Sequence, residues 1–330
     1  MARTPVAGRI ALVLGLALVL PAPARGRTTL IWVEIPGARG QTVRDLASDG
    51  LLPWLKGAIA RGDLRTLVPA DLAPLDSLRE AIRGCPTPVV DVGWRARPAA
   101  GQRVLRLAGS LREAPAWLAA GGGPSVEFAD AWDGRVQWGA LRRIAGIEET
   151  LRWEEVEEFT SLTPAENAAL LSMDCAPEHP LWRLRRAFAA DKLLANAALY
   201  FGRVEKPPRV LLRLELASTF EEDLCPWAEE VLAHTSLPAR EEEDRFAARR
   251  RFFLHRLRSS APRIYGRLDR VLQSLQEEWD GDACLIVDAS GSRDPFLAVH
   301  APAGWPQTAS PPQALRSLLA EIGWDFRGLR

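Results

Sequence analysis

TTLIWVEIPGARGQTVRDLASDGLLPWLKGAIARGDLRTLVPADLAPLDSLREAIRG, residues 28–84, is the stretch whose reading decides the fold. It opens with an aliphatic run over 28–35 that holds one tryptophan, Trp32, and reads as a buried strand. Pro36-Gly37 supplies a turn. A helical run follows, then Leu52-Pro53-Trp54-Leu55 and a second helical run that stops at Gly62. A proline-bounded loop leads into a third helix over 76–83. The predicted order is strand, turn, helix, helix, loop, helix.

The remainder continues this alternation. Residues 89–94 read as a second strand, and 102–108 as a further one, because Val104 and Arg106 alternate with Leu105 and Leu107. Residues 119–124 are a glycine-rich turn. Over 125–141, Val126, Phe128, Trp132, Val136 and Trp138 stand among polar residues, which predicts short strands in a small insert around 95–160. Thr163-Pro164-Ala165-Glu166 has the form of a capping box at a helix start. Leu184, Phe188, Leu193 and Leu194 mark a helix over 181–201.

A strand is predicted over 210–216, with Val210, Leu212, Leu214 and Leu216 on one face and Leu211, Arg213 and Glu215 on the other. A charge-rich helix over 241–258 follows. A longer one over 262–279 has Ile264, Leu268, Val271, Leu272 and Leu275 at three- and four-residue spacing. Residues 283–288 form an apolar strand ending in Asp288, and 296–300 a last strand. The final helix has Ser310 as its cap, Pro311 or Pro312 in its first turn, Leu315, Leu318, Leu319 and Ile322 inward, and Gly323 at its close. Apolar strands alternating with amphipathic helices predict an α/β domain over 25–330, a mostly parallel central sheet with helices on both faces. Ligands of such sheets sit at the carboxyl ends of strands. Glu34, Glu215 and Asp288 lie near the ends of the three most apolar strands.

The chain carries 42 basic and 42 acidic residues, so no net field steers it toward nucleic acid or an anionic membrane. The basic cluster Arg249, Arg250 and Arg251 is offset by Glu241, Glu242, Glu243 and Asp244 and reads as a solvated helix face. At the N-terminus Arg3 and Arg9 precede the apolar run 10–20, and Ala22-Pro23-Ala24 offers a small-x-small cleavage site. That predicts a signal peptide over 1–24 and export to the periplasm or extracellular space, with no membrane span left after cleavage. An uncleaved N-terminal anchor is the alternative. Export permits disulfides among Cys85, Cys175, Cys225 and Cys284, whose three possible pairings the sequence leaves open.

The layout of 28–84 resembles the start of the alkaline phosphatase superfamily, in its type I phosphodiesterase/nucleotide pyrophosphatase branch. There a hydrophobic strand ends in an "I-x-x-D-G" turn, and a "P-x-L-x-x-L-x-x-x-G" segment follows, matched here by Pro53, Leu55, Ile59 and Gly62. The likeness continues through 207–217, 265–290 and 311–327, the last closing on Ile322-Gly323 and Gly328. The resemblance implies an alkaline-phosphatase-like fold with a reduced cap. It also implies two divalent metals that orient a Thr or Ser hydroxyl against a phosphoester.

The residues that would carry that chemistry differ. Pro36 stands at the metal-binding Asp, with Glu34 two residues earlier. Ala73 stands at the nucleophile, and Ser77, the nearest hydroxyl, falls about one helical turn on. No D-x-x-x-H is present. Asp288 is kept, but Ala289 replaces the His beside it. None of His179, His234, His255 and His300 has ligand spacing. A pseudo-enzyme that binds an envelope protein or a small ligand, without a cofactor, is the expectation. The alternative is a phosphoester hydrolase in which Glu34, Glu215 and Asp288 hold one Mg²⁺ or Ca²⁺, hard cations that accept all-oxygen sites, or one Zn²⁺.

Overall fold

The computed structural model describes residues 28–84, 89–92, 104–107, 209–234, 259–279, 283–302, 304–306 and 309–324, and single helical residues between 180 and 199 and between 248 and 257. The predicted signal segment, the insert apart from 104–107, the helix start at Thr163 and most of 241–258 lie outside the described residues.

The elements in chain order are β1 (Thr29–Glu34), α1 (Gly40–Ser48), α2 (Pro53–Ala60), β2 (Leu64–Thr66), α3 (Pro69–Gly84), β3 (Val89–Val92), β4 (Val104–Leu107) and β5 (Arg209–Arg213). Next comes α4, a continuous run of Leu216–Ser218, the π-helical Thr219–Leu224 and Cys225–His234. Then follow α5 (Ala261–Glu278), β6 (Ala283–Asp288), β7 (Phe296–His300) and α6 (Pro311–Glu321). The seven strands form one mixed sheet in the order β2-β7-β6-β1-β5-β3-β4. β6, β1, β5, β3 and β4 pair in parallel, whereas β7 runs antiparallel to both β6 and β2.

Successive side chains alternate across a strand, and here each alternation feeds a different apolar layer. Ile31 and Val33 of β1, Val210 and Leu212 of β5, and Leu285 and Val287 of β6 pack with α1, α2, α4 and α5. Leu30, Trp32, Leu211, Cys284 and Ile286 face the opposite way, toward Leu75, Leu78 and Ile82 of α3 and Leu315, Leu318 and Leu319 of α6. In α5, Ile264, Leu268, Leu272 and Leu275 are all buried, as their spacing predicts.

The helices share a second device, in which acids reach their amino ends. Arg39, Leu52 and Glu215, at the first positions of α1, α2 and α4, give no side-chain cap bond. Asp294 instead accepts the Gln41 N–H of α1. Asp269 of α5 accepts the Trp54 and Leu55 N–H groups of α2 at 3.0 and 2.8 Å. Asp191 accepts the Glu215 and Leu216 N–H groups at the start of α4, at 2.8 and 2.9 Å. Each carboxylate satisfies amides that have no partner within the helix and meets the positive end of its dipole.

Several expectations change. The segment from 69 to 75 is helix rather than loop: the Asp71 carboxylate accepts the Val68 N–H at 3.0 Å, closing the first turn and carrying α3 through Pro74. β2 leaves no signal in the sequence, since its three residues are too short to show alternation. Leu216 belongs to α4 and not to β5, because the Asp191 cap starts the helix there. Ser310 occupies the first position of α6 but makes no cap bond. Among the described residues Cys225 and Cys284 form no disulfide, and burial pushes the Cys284 thiol up to about 12. Cys85 and Cys175 lie outside the described residues, and no described helix is long and apolar enough to cross a membrane.

Gly37 makes the turn after β1 at φ 73°, and a Cβ there would lie 2.4 Å from the Ser218 Cα. Gly50, at φ 78°, faces open space. Gly50→Ala should therefore cost about 1–2 kcal/mol from backbone conformation alone. Gly37→Ala should cost about 3 kcal/mol or more, because β1 and α4 must also separate. Urea denaturation of the two variants checks the difference. Burial holds the Asp191 carboxyl up at about 7, against an ordinary value of 3.8. Its proton is held more tightly in the folded than in the unfolded chain, so its contribution is fully present below pH 3.8 and lost as pH rises through 7. The urea midpoint of the wild type should fall between pH 4 and 7 more steeply than that of Asp191→Asn.

Candidate functional site

The site sits at the carboxyl ends of β6, β1 and β5. Register places Asp288 beside Glu34, and Glu34 beside Arg213, in one row across three strands. By strand parity all three share the face of Leu30, Trp32 and Leu211, the face that α3 covers. β1 and β6 are central strands buried at nearly every residue, and the row is their last position before the turns. Glu34 is 8% exposed and Asp288 is fully buried.

Arginine supplies the cations for these acids. Arg79 of α3 reaches down onto Asp288, with Nη2 at 2.7 Å and Nε at 3.1 Å from Oδ2. The same Nη2 donates to Ser290 Oγ at 2.6 Å. Nη1 donates to Asp76 at 2.8 Å and stands 4.0 Å from Glu34 Oε1. On the other side, Arg213 Nη1 lies 3.3 Å from Glu34 Oε1, and its Nε donates to Glu215 Oε1 at 2.5 Å. Trp32 Nε1 donates to Asp288 Oδ2 at 3.1 Å, and the Ser290 N–H to Oδ1 at 2.9 Å. Both oxygens of Asp288 are thus engaged by the protein. Burial works against the charge of Arg79, but Asp288, Glu34 and Asp76 outweigh it and hold its pKa above the ordinary value.

The three acids singled out in the sequence therefore end differently. Glu34 and Asp288 become cross-strand neighbours. Glu215 lies one residue past Leu214 in the β5–α4 connection, on the far side of the Arg213 guanidinium. Among the described residues no group of three or more His, Cys, Asp or Glu is placed to share a metal ion. Ala73 lies inside α3. Ser77 is exposed on the same helix and donates back to the Ala73 carbonyl at 3.0 Å. His255 is exposed on its helix. His300 ends β7, where burial and the nearby Arg61 lower its pKa. His179 and the side chain of His234 lie outside the described residues.

Sequence reasoning missed the two arginines, although each left a trace. Arg79 stands four residues after Leu75 and three before Ile82, within the stripe that α3 turns inward. Arg213 alternates with Leu211 and so shares its face. A charge on an apolar stripe was the available sign. No family model, no curated protein and no solved structure matches the chain.

A buried carboxylate stripped of its partner cation is costly, commonly about 3–5 kcal/mol. Arg79→Met should therefore destabilise by that order in urea denaturation. Arg79→Met/Asp288→Asn should recover at least about 1 kcal/mol of the summed single-variant losses. Strict additivity would show that the two side chains act independently.

Proposed function

We propose that this chain is a non-catalytic, exported binding protein. In this reading an alkaline-phosphatase-like arrangement keeps its strand-end acids but holds them with arginine. The observation that carries the reading is the Arg79 clamp on Asp288. A metal ligand must present an oxygen lone pair to the ion, yet Oδ2 of Asp288 takes three N–H donors and Oδ1 a fourth. The Arg79 guanidinium itself lies between Asp288 and Glu34, 2.7 Å from the first and 4.0 Å from the second.

The hydroxyl chemistry supports the same reading. Ala73 has no side-chain hydroxyl, and the Ser77 hydroxyl is turned onto its own helix. Among the described residues no histidine stands in the row to take a proton. What the carboxyl edge offers is a set of fixed charges of both signs, Asp76, Glu215 and the two arginines, around a stiff sheet. That suits recognition of a small polar ligand or of an envelope protein.

Elemental analysis of the mature protein, purified without chelators, tests the proposal together with phosphomonoester and phosphodiester assays. The expected result is far less than one Zn, Mn or Mg per chain and no turnover above that of Asp288→Asn. Near-stoichiometric metal with turnover lost in Asp288→Asn would establish the metal-dependent hydrolase instead.

A further inference from the structure

The π-helical segment of α4 holds a buried acid that the strand-end row does not use. Glu221 is 5% exposed. Its Oε1 accepts the Tyr265 hydroxyl of α5 at 2.8 Å, and its Oε2 lies 2.9 Å from Arg39 Nε in the β1–α1 connection. Tyr265, 1% exposed, accepts the Arg39 N–H at 3.0 Å. One carboxylate therefore ties three elements together. π segments of this kind are uncommon and recur at functional positions.

We propose that Glu221 is a proton-operated latch: ionised, it holds the β1–α1 connection against α4 and α5, and protonated, it lets Arg39 go. The connection it holds carries Gly37, packed against the Ser218 backbone of α4, and leads directly from Glu34. Releasing Arg39 would loosen the segment bordering the strand-end row without breaking the Arg79 clamp. The latch rests on the geometry of this node and is independent of the binding role proposed above.

The charges around Glu221 make its titration accessible. Burial raises its pKa above the ordinary glutamate value. The Tyr265 hydrogen bond, Arg39 and Arg293 pull the other way, and neighbouring Glu222 adds to the rise. Tyr265 comes from α5, Arg39 from the β1–α1 connection, Arg293 from the β6–β7 connection and Glu222 from α4 itself. Tyr265 stays neutral across this range, since burial and Glu221 raise its own pKa.

Tyr200 and Tyr265 are the two tyrosines of the chain, so a ¹³Cζ-tyrosine label gives two resonances that Tyr265→Phe assigns. The Tyr265 signal should shift with pH through a midpoint above the ordinary glutamate range. Amide protection over residues 37–43 should fall at the same midpoint by roughly two- to fivefold, the worth of a part-exposed ion pair. Both transitions should vanish in Glu221→Gln. Arg39→Gln should show at pH 8 the protection that the wild type shows on the acid side of that midpoint. A Tyr265 signal that is flat from pH 8 to 4, a transition that persists in Glu221→Gln, or a shift without loss of protection would each overturn the latch. Where a variant folds poorly, a flat wild-type Tyr265 signal, or a wild-type shift without loss of protection, still overturns the latch.

Discussion

The Asp288 carboxylate is fully buried at the end of a central strand, and that burial constrains much of what surrounds it. An ionised group removed from water needs both a countercharge and hydrogen-bond donors. Arg79 supplies the charge and two donors, while Trp32 and the Ser290 amide supply two more. Three elements are thereby fixed relative to β6. α3 must lie across the sheet at the height that brings Arg79 over the row, β1 must present Trp32 from the same face, and the β6–β7 turn must fold back on Asp288. Glu34 and Arg213 extend the row to β5, so charge alternates with distance from Arg79.

A second pattern reinforces the first. Asp294, Asp269 and Asp191 each cap a helix that starts just beyond a strand or a turn, and each comes from elsewhere in the chain. A local cap fixes one turn of one helix, whereas a remote carboxylate fixes a helix and its neighbour together. The amino ends of α1 and α4 face the carboxyl edge of the sheet, so these caps hold the connections around the row. α4 then departs from regular geometry in its π segment, where Glu221 reaches Tyr265 and Arg39.

In the binding reading proposed above, a carboxyl edge built this way would recognise charge and would not transfer a phosphoryl group. Its acids are already paired, and its nearest hydroxyls donate to the backbone or receive from arginine. Arginine as a resident cation differs from a metal in a physical respect. It orients planar donors and cannot generate hydroxide from bound water.

Most elements and their inward faces are legible in local pattern, β2 and the first turn of α3 excepted. Alternation in 29–34 and 283–288 and the four-residue spacing in 264–275 are local patterns, and local sterics and burial are enough to impose them. The sequence also placed acids at the ends of β1 and β6. What those acids meet is settled only when the sheet closes. Arg79 lies 209 residues from Asp288 in the chain, and no local pattern encodes a contact of that range. The same holds for Asp191 at the start of α4 and Asp269 at the start of α2, which reach those helices from 25 and 215 residues away. The antiparallel course of β7 and the short edge strand β2 were equally hidden, because strand direction depends on how a turn returns the chain and not on apolar content. Periodicity records which side of an element leaves water. The partner on that side is set by the closing of the whole sheet.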